Sequence, residues 1–247
     1  MNSTATPAWG DISLAMHQWH QIDQLWVYLW QGSHEFGISY CYGEPARAPW
    51  LQYTSLAEMR FPINGSITAI QQLSTRPVVA RPNLPIHLPT GESVTLYVGT
   101  SLWFTLQRDT DTLVDIPVAR LSDTWFGPDT RQGEICYACG THARLSMEGI
   151  RVNAFKAITP IHVQNESDKA IVIDRINLPV NYMTLFRDEQ RHWTSALTIK
   201  RRATEANSQI HVADLPPDAC VNPVIVAEPR KRLPDGILNK AMNLLLG

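Results

Sequence analysis

Between Val94 and Leu106 the side chains alternate with a period of two, and this run limits the fold more tightly than any other. Val94, Leu96, Val98, Leu102, Phe104 and Leu106 fall on one face; Thr95, Tyr97, Ser101, Trp103 and Thr105 fall on the other. A helix would scatter these apolar groups around its circumference, whereas a strand collects them on one side. The pattern predicts a half-buried antiparallel strand, bent at Gly99. Arg108 to Asp111 turns it back into Val114, Ile116 and Val118, which completes a hairpin.

The same period recurs along the chain. Leu25, Val27 and Leu29 alternate with Trp26, Tyr28 and Trp30, so both faces of that strand are apolar and covered. Phe36, Ile38, Tyr40 and Tyr42 follow on one face after a turn at 31–34. Ser55 and Glu58 have capping-box spacing, which predicts a helix of barely two turns ended by Pro62. The prolines from Pro77 to Pro89 predict an edge or a looping connection. Ile158 to Leu178 reads as a second hairpin around 165–168, and short strands follow at 183–186, 197–199 and 210–212. Amphipathic helices between strands are missing, so the fold class is all-β, with two packed β-sandwich-like units. The expected division is 1–122 and 123–229, with a basic segment and a short C-terminal helix over 230–247. Asp235 caps that helix, and Ile237, Leu238, Ala241, Met242 and Leu245 form one apolar stripe.

Charge and cysteine content remove several classes. A formal net charge of -2 provides no electrostatic footprint for nucleic acid. No apolar run approaches the ~20 residues that span a bilayer. The N-terminus lacks the basic-then-apolar pattern of a secretory signal. Four cysteines, at 41, 136, 139 and 220, are few for a disulfide scaffold. The expected compartment is the cytoplasm.

The cluster with a chemical look is Cys136, Cys139 and His142. Thiolates and imidazole at short spacing can supply part of a tetrahedral zinc site, and such a site is the basis of a metal-assisted hydrolase reading. Strand geometry opposes it, because residues three apart on a strand point to opposite faces. His17 and His20 lack further ligands nearby and read as a surface turn. Glu134, Asp174, Arg144 and Arg175 are candidate ion pairs between strands. The sequence contains no nucleophile elbow, phosphate loop or dinucleotide glycine pattern.

Four segments carry a family resemblance: Trp125-Phe126-Gly127, Gly133 to Ala138, Ile158 to Ser167, and Ile176 to Val180. Together they resemble the DUF432 family of uncharacterised archaeal and bacterial proteins. The resemblance implies a prokaryotic protein with no assigned activity, and it brings no catalytic residues.

The expected function is therefore a non-enzymatic binding or assembly module without a required cofactor. Its protein partner, a second copy or an anionic membrane surface would dock on the C-terminal stripe, helped by Arg230, Lys231 and Arg232. The rivals are the metal-assisted hydrolase, with zinc on Cys136, Cys139 and His142, and a carbohydrate- or small-ligand-binding sandwich with an exposed row of Trp.

Overall fold

The computed structural model describes residues 8–10, 12–44, 57–62, 65–127, 131, 133–202 and 208–232. Its contacts divide the chain into two units, Met1–Gln72 with Leu102–Arg120, and Leu73–Ser101 with Leu121–Gly247. The first unit opens with β1 (Ala8–Trp9), β2 (Ile12–Ser13), β3 (Trp19–Ile22) and β4 (Leu25–Gln31). β5 (Glu35–Tyr42), β6 (Ala57–Pro62) and β7 (Ile67–Gln72) follow. The chain then supplies β8 (Val78–Pro82), β9 (Ile86–Leu88) and β10 (Ser93–Ser101) to the second unit. It returns to the first for β11 (Trp103–Arg108) and β12 (Asp111–Pro117). The second unit resumes with β13 (Asp123–Phe126), β14 (Glu134–Ala143), β15 (Lys156–Glu166), β16 (Ile171–Ile173) and β17 (Ile176–Leu178). After a 3₁₀ turn at Val180–Tyr182 come β18 (Leu185–Arg187), β19 (His192–Thr194), β20 (Leu197–Arg202), β21 (Gln209–Val212) and β22 (Val224–Ala227). The protein is all-β. Among the described residues no helix is long and apolar enough to cross a membrane.

In the first unit β3-β4-β5-β6 form one antiparallel sheet and β12-β11-β7 another. Leu25, Val27 and Leu29 are fully buried, as the alternation in β4 requires. Trp30 on the other face lies over its cross-strand partner Gly37, where a Cβ would meet the indole at 2.1 Å. Only glycine leaves room for that ring, and Arg60 stacks on it at 5.3 Å from the centroid. Ala57–Pro62 is a strand rather than the short helix its capping box suggested. Pairing with β5 satisfies its backbone over six positions, which two helical turns could not match.

The long alternating run divides at Leu102. Its parity persists, since Leu96, Val98, Leu102, Phe104 and Leu106 are all fully buried. β10 nevertheless pairs with β15 over nine positions, while β11 pairs with β7 and β12. A single cut at 122 therefore does not describe the division, because 73–101 pairs with strands from the C-terminal half. Local periodicity carries no information about such a partner. The predicted hairpin is present as β11 and β12.

In the second unit β15 is central to a seven-stranded sheet. It pairs antiparallel with β10 and parallel with β19 and β20, whereas β16 pairs with β9. The hairpin expected over Ile158–Leu178 is thus absent. β8 lies inside the four-stranded sheet β13-β14-β8-β17, not at an edge. Pro77 precedes it and Pro82 ends it, so no amide in its interior is lost. β13 and β14 pair antiparallel, with Trp125 opposite Ile135. The indole of Trp125 covers Gly133, where a Cβ would meet it at 2.5 Å, and a Cβ on Gly127 would strike Gly133 Cα at 2.1 Å. Those contacts explain the glycines of the Trp-Phe-Gly and Gly-Glu segments.

Candidate functional site

Cys136, Cys139 and His142 all lie on β14, but they do not form one site. Cys136 is fully buried and its thiol faces Asn177 Oδ1 at 4.0 Å. Burial, then the neighbouring Glu134 charge, pushes that thiol up to about 12, which keeps it protonated and a poor ligand. Cys139 reaches the other way, to the Gly99 carbonyl at 3.3 Å and the Thr141 hydroxyl at 3.2 Å. His142 is exposed. Among the described residues no group of three or more His, Cys, Asp or Glu is placed to hold a metal ion. The zinc and hydrolase expectations lose their ligand set here, for the reason strand geometry gives: the odd spacing separates the sulfurs.

The other expected sites fare unevenly. Ile237, Leu238, Ala241, Met242 and Leu245 lie outside the described residues. Arg230 Nε donates to the Leu73 carbonyl, and the Lys231 amide donates to the Asn181 carbonyl at 3.0 Å. His20 is buried on β3 rather than in a surface turn, and its ring bonds the Ala15 carbonyl at 2.8 Å. Among the described tryptophans only Trp125 is classed as exposed, and it covers Gly133, so an exposed row is not present there.

A feature that motif reading missed lies where β10, β14 and β15 meet. A cavity of about 580 Å³ is lined by Tyr97, Thr141, Arg144, Lys156, Ile158 and Arg191, together with His142 and the 149–153 turn that includes Arg151. Several of these residues are held by the sheet. Tyr97 and Arg144 exchange backbone hydrogen bonds at 2.8 and 3.0 Å in an isolated antiparallel bridge. The Thr141 hydroxyl donates to the Gly99 carbonyl. Lys156 opens β15 opposite Ser101, and its amide bonds the Asn153 carbonyl at 3.3 Å. Ala157 pairs with His192 in the parallel register, so one step back along both strands Lys156 is beside Arg191.

Arg191 is presented by a tight turn. One Asp188 oxygen accepts the amides of Gln190 at 2.8 Å and Arg191 at 2.7 Å, and the other accepts the Trp193 indole N–H at 2.7 Å. Burial alone would raise the Asp188 carboxyl, but these donors and the Arg191 charge together hold it below its ordinary value of 3.8. Trp193 in turn packs with Ile158, Phe186 and Cys220, against which Tyr97 and Ile150 also lie. Ile158, which lines the cavity, is thus backed by a packed cluster.

Electrostatics set this cavity apart. Arg144, Arg151, Lys156 and Arg191 line it, and no Asp or Glu does. None of the four takes part in an ion pair among the described residues. Arg191 Nη1 is buried without a hydrogen-bond partner among them. Leaving a charged donor unpaired costs about 1–3 kcal/mol or more. The sequence signal existed: Arg144, Arg151 and Lys156 flank a turn whose lone acidic residue is Glu148. Arg144 had been expected in an ion pair between strands, and Arg191 is 35 residues from Lys156 in the chain.

A family model described as a protein of unknown function (DUF432) matches residues 8–245. No curated protein and no solved structure matches the chain.

Proposed function

The chain belongs to the DUF432 family, and for this member we propose a binding module that holds a small phosphate-bearing ligand in the cationic cavity of its second unit. The observation that carries the reading is the convergence of Arg144, Arg151, Lys156 and Arg191 on one concavity without a facing carboxylate. Arginine donates to phosphate oxygens in a planar fork and lysine adds a point charge, so a divalent anion satisfies several of these groups together. Tyr97, Ile150 and Ile158 supply an apolar wall for the rest of the ligand, and about 580 Å³ is within the range of small-molecule pockets. Sandwich-like packing of the sheets belongs to the same reading, supported by the buried faces of β4, β11 and β15. Four free cysteines support a reducing compartment such as the cytoplasm.

Thermal unfolding tests the reading. Pyrophosphate at about 100 times its Kd stabilises the folded state by about 2.7 kcal/mol, which raises Tm by about 5–10 °C for a chain of this size. Sodium chloride at equal ionic strength is expected to produce no such rise. Equal shifts with both salts contradict a specific site.

Assembly through the C-terminal segment is a second and separate reading. The ties of Arg230 to Leu73 and of Lys231 to Asn181 support it, because they anchor the basic residues that precede the stripe to the second unit. Deleting Leu233–Gly247 is expected to abolish partner binding or self-association, measured by sedimentation, with the β-sheet circular dichroism unchanged. Outright unfolding of the shortened chain removes this reading.

A further inference from the structure

A second cleft of the same unit, about 340 Å³ in volume, lies between the start of β14, the turn before β8 and the 3₁₀ turn after β17. Its chemistry is unlike that of the cationic cavity, for it carries both signs. Arg76 and Lys231 line it together with Glu134, Asn177, Asn181 and Tyr182. Asn177 Nδ2 donates to Glu134 Oε1 at 2.9 Å, and the buried Cys136 thiol faces the Asn177 oxygen, so the carboxylate is oriented by a fixed amide. Asn181 sits in the 3₁₀ turn with 2% of its surface exposed. Its Oδ1 is buried and has no hydrogen-bond partner among the described residues. Buried amide oxygens are almost always paired, so an unpaired one on a residue that borders a cleft marks a place for a donor. Glu134 and Asn181 both border this cleft, as do two cations. Arg76 already touches Asp123 at 3.3 Å and stacks on Tyr137 at 5.2 Å, contacts that hold its guanidinium in place.

We propose that this cleft binds a small zwitterion of the α-amino acid class. The ammonium donates to Asn181 Oδ1 and Glu134, and the carboxylate is met by Arg76 and Lys231. Pro77, Pro179 and the exposed Ile135 border the space left for a side chain. The site is independent of the cationic cavity, which lacks any acidic group to receive an ammonium.

Titration calorimetry with a panel of free α-amino acids on the full chain tests the proposal. At least one is expected to bind saturably. N-acetylation or carboxamide capping of that amino acid is expected to weaken binding by about tenfold or more, each cap removing one charge the site reads. Asn181→Leu and Glu134→Gln are each expected to weaken it by about tenfold. Asn181→Leu is also expected to leave Tm unchanged or higher, because it removes a buried polar atom without a protein partner. Charge reversal at Lys156 is expected to leave amino-acid binding intact. Absence of binding across the panel overturns the proposal, as does binding that survives both Asn181→Leu and Glu134→Gln. Binding of the N-acetylated form at full strength overturns it too.

Discussion

Asn165→Ala is expected to destabilise the protein by about 4 kcal/mol, among the larger effects a single polar substitution produces. Asn165 is 1% exposed and lies next to last in the long central strand β15. Its amide nitrogen donates to the carbonyls of Leu88 at 3.0 Å, Pro89 at 3.1 Å and Lys169 at 2.8 Å. Its oxygen accepts the Ser167 amide at 3.1 Å and the Ser167 hydroxyl at 2.6 Å. One side chain thus fastens the connection before β10 to the turn after β15. Each buried group left unpaired costs about 1–3 kcal/mol, and partial relaxation keeps the total below the full sum. The Ser167 hydroxyl, for example, retains the Lys169 carbonyl at 2.9 Å. Glu166 next to it provides the control. It pairs with Lys200 at 3.5 Å and Arg202 at 3.2 Å in solvent, where ion pairs contribute little, so Glu166→Ala is expected to move the urea midpoint far less. An Asn165→Ala midpoint close to that of Glu166→Ala contradicts this account of the turn.

Lys156→Glu is expected to weaken pyrophosphate binding by about 100-fold, because it puts a repulsive charge where the cationic cavity has an attractive one. The same change is expected to leave stability equal or improved. Lys156 has no ion-pair partner among the described residues and is beside Arg191 in the strand register, so a carboxylate there relieves repulsion. Lost affinity with retained Tm separates a ligand contact from a structural lysine, which would lose both.

Some of this was legible in the chain and some was not, for identifiable reasons. The alternation in β4 and through β10 and β11 is local, and the burial of Leu25, Val27, Leu29, Leu96 and Phe104 follows it. The β11–β12 hairpin needed only a turn between two such runs. The partner of β15 is a different kind of information. Residues 93–101 reach it from about 60 positions earlier in the chain, and its parallel neighbour β20 lies beyond four intervening strands, β16 to β19. A period of two specifies which face is buried and is silent on which strand lies alongside. The same silence hid the cationic cavity, for Lys156 and Arg191 become neighbours only through the β15–β19 register. The Cys-x-x-Cys spacing drew notice because motifs are local, and strand geometry then sent its two sulfurs toward Asn177 and Gly99. Asn165 and Asn177 were visible as parts of family-like segments, but their roles depend on carbonyls and a carboxylate from distant strands.

Isothermal titration of pyrophosphate into the full-length chain, across a series of salt concentrations, tests the central claim most directly. The account predicts saturable binding of one equivalent per chain, weakening steadily as salt rises and reduced about 100-fold by Lys156→Glu. Saturation that persists unchanged in Lys156→Glu, or the absence of saturable heat in the unaltered chain at low salt, contradicts it.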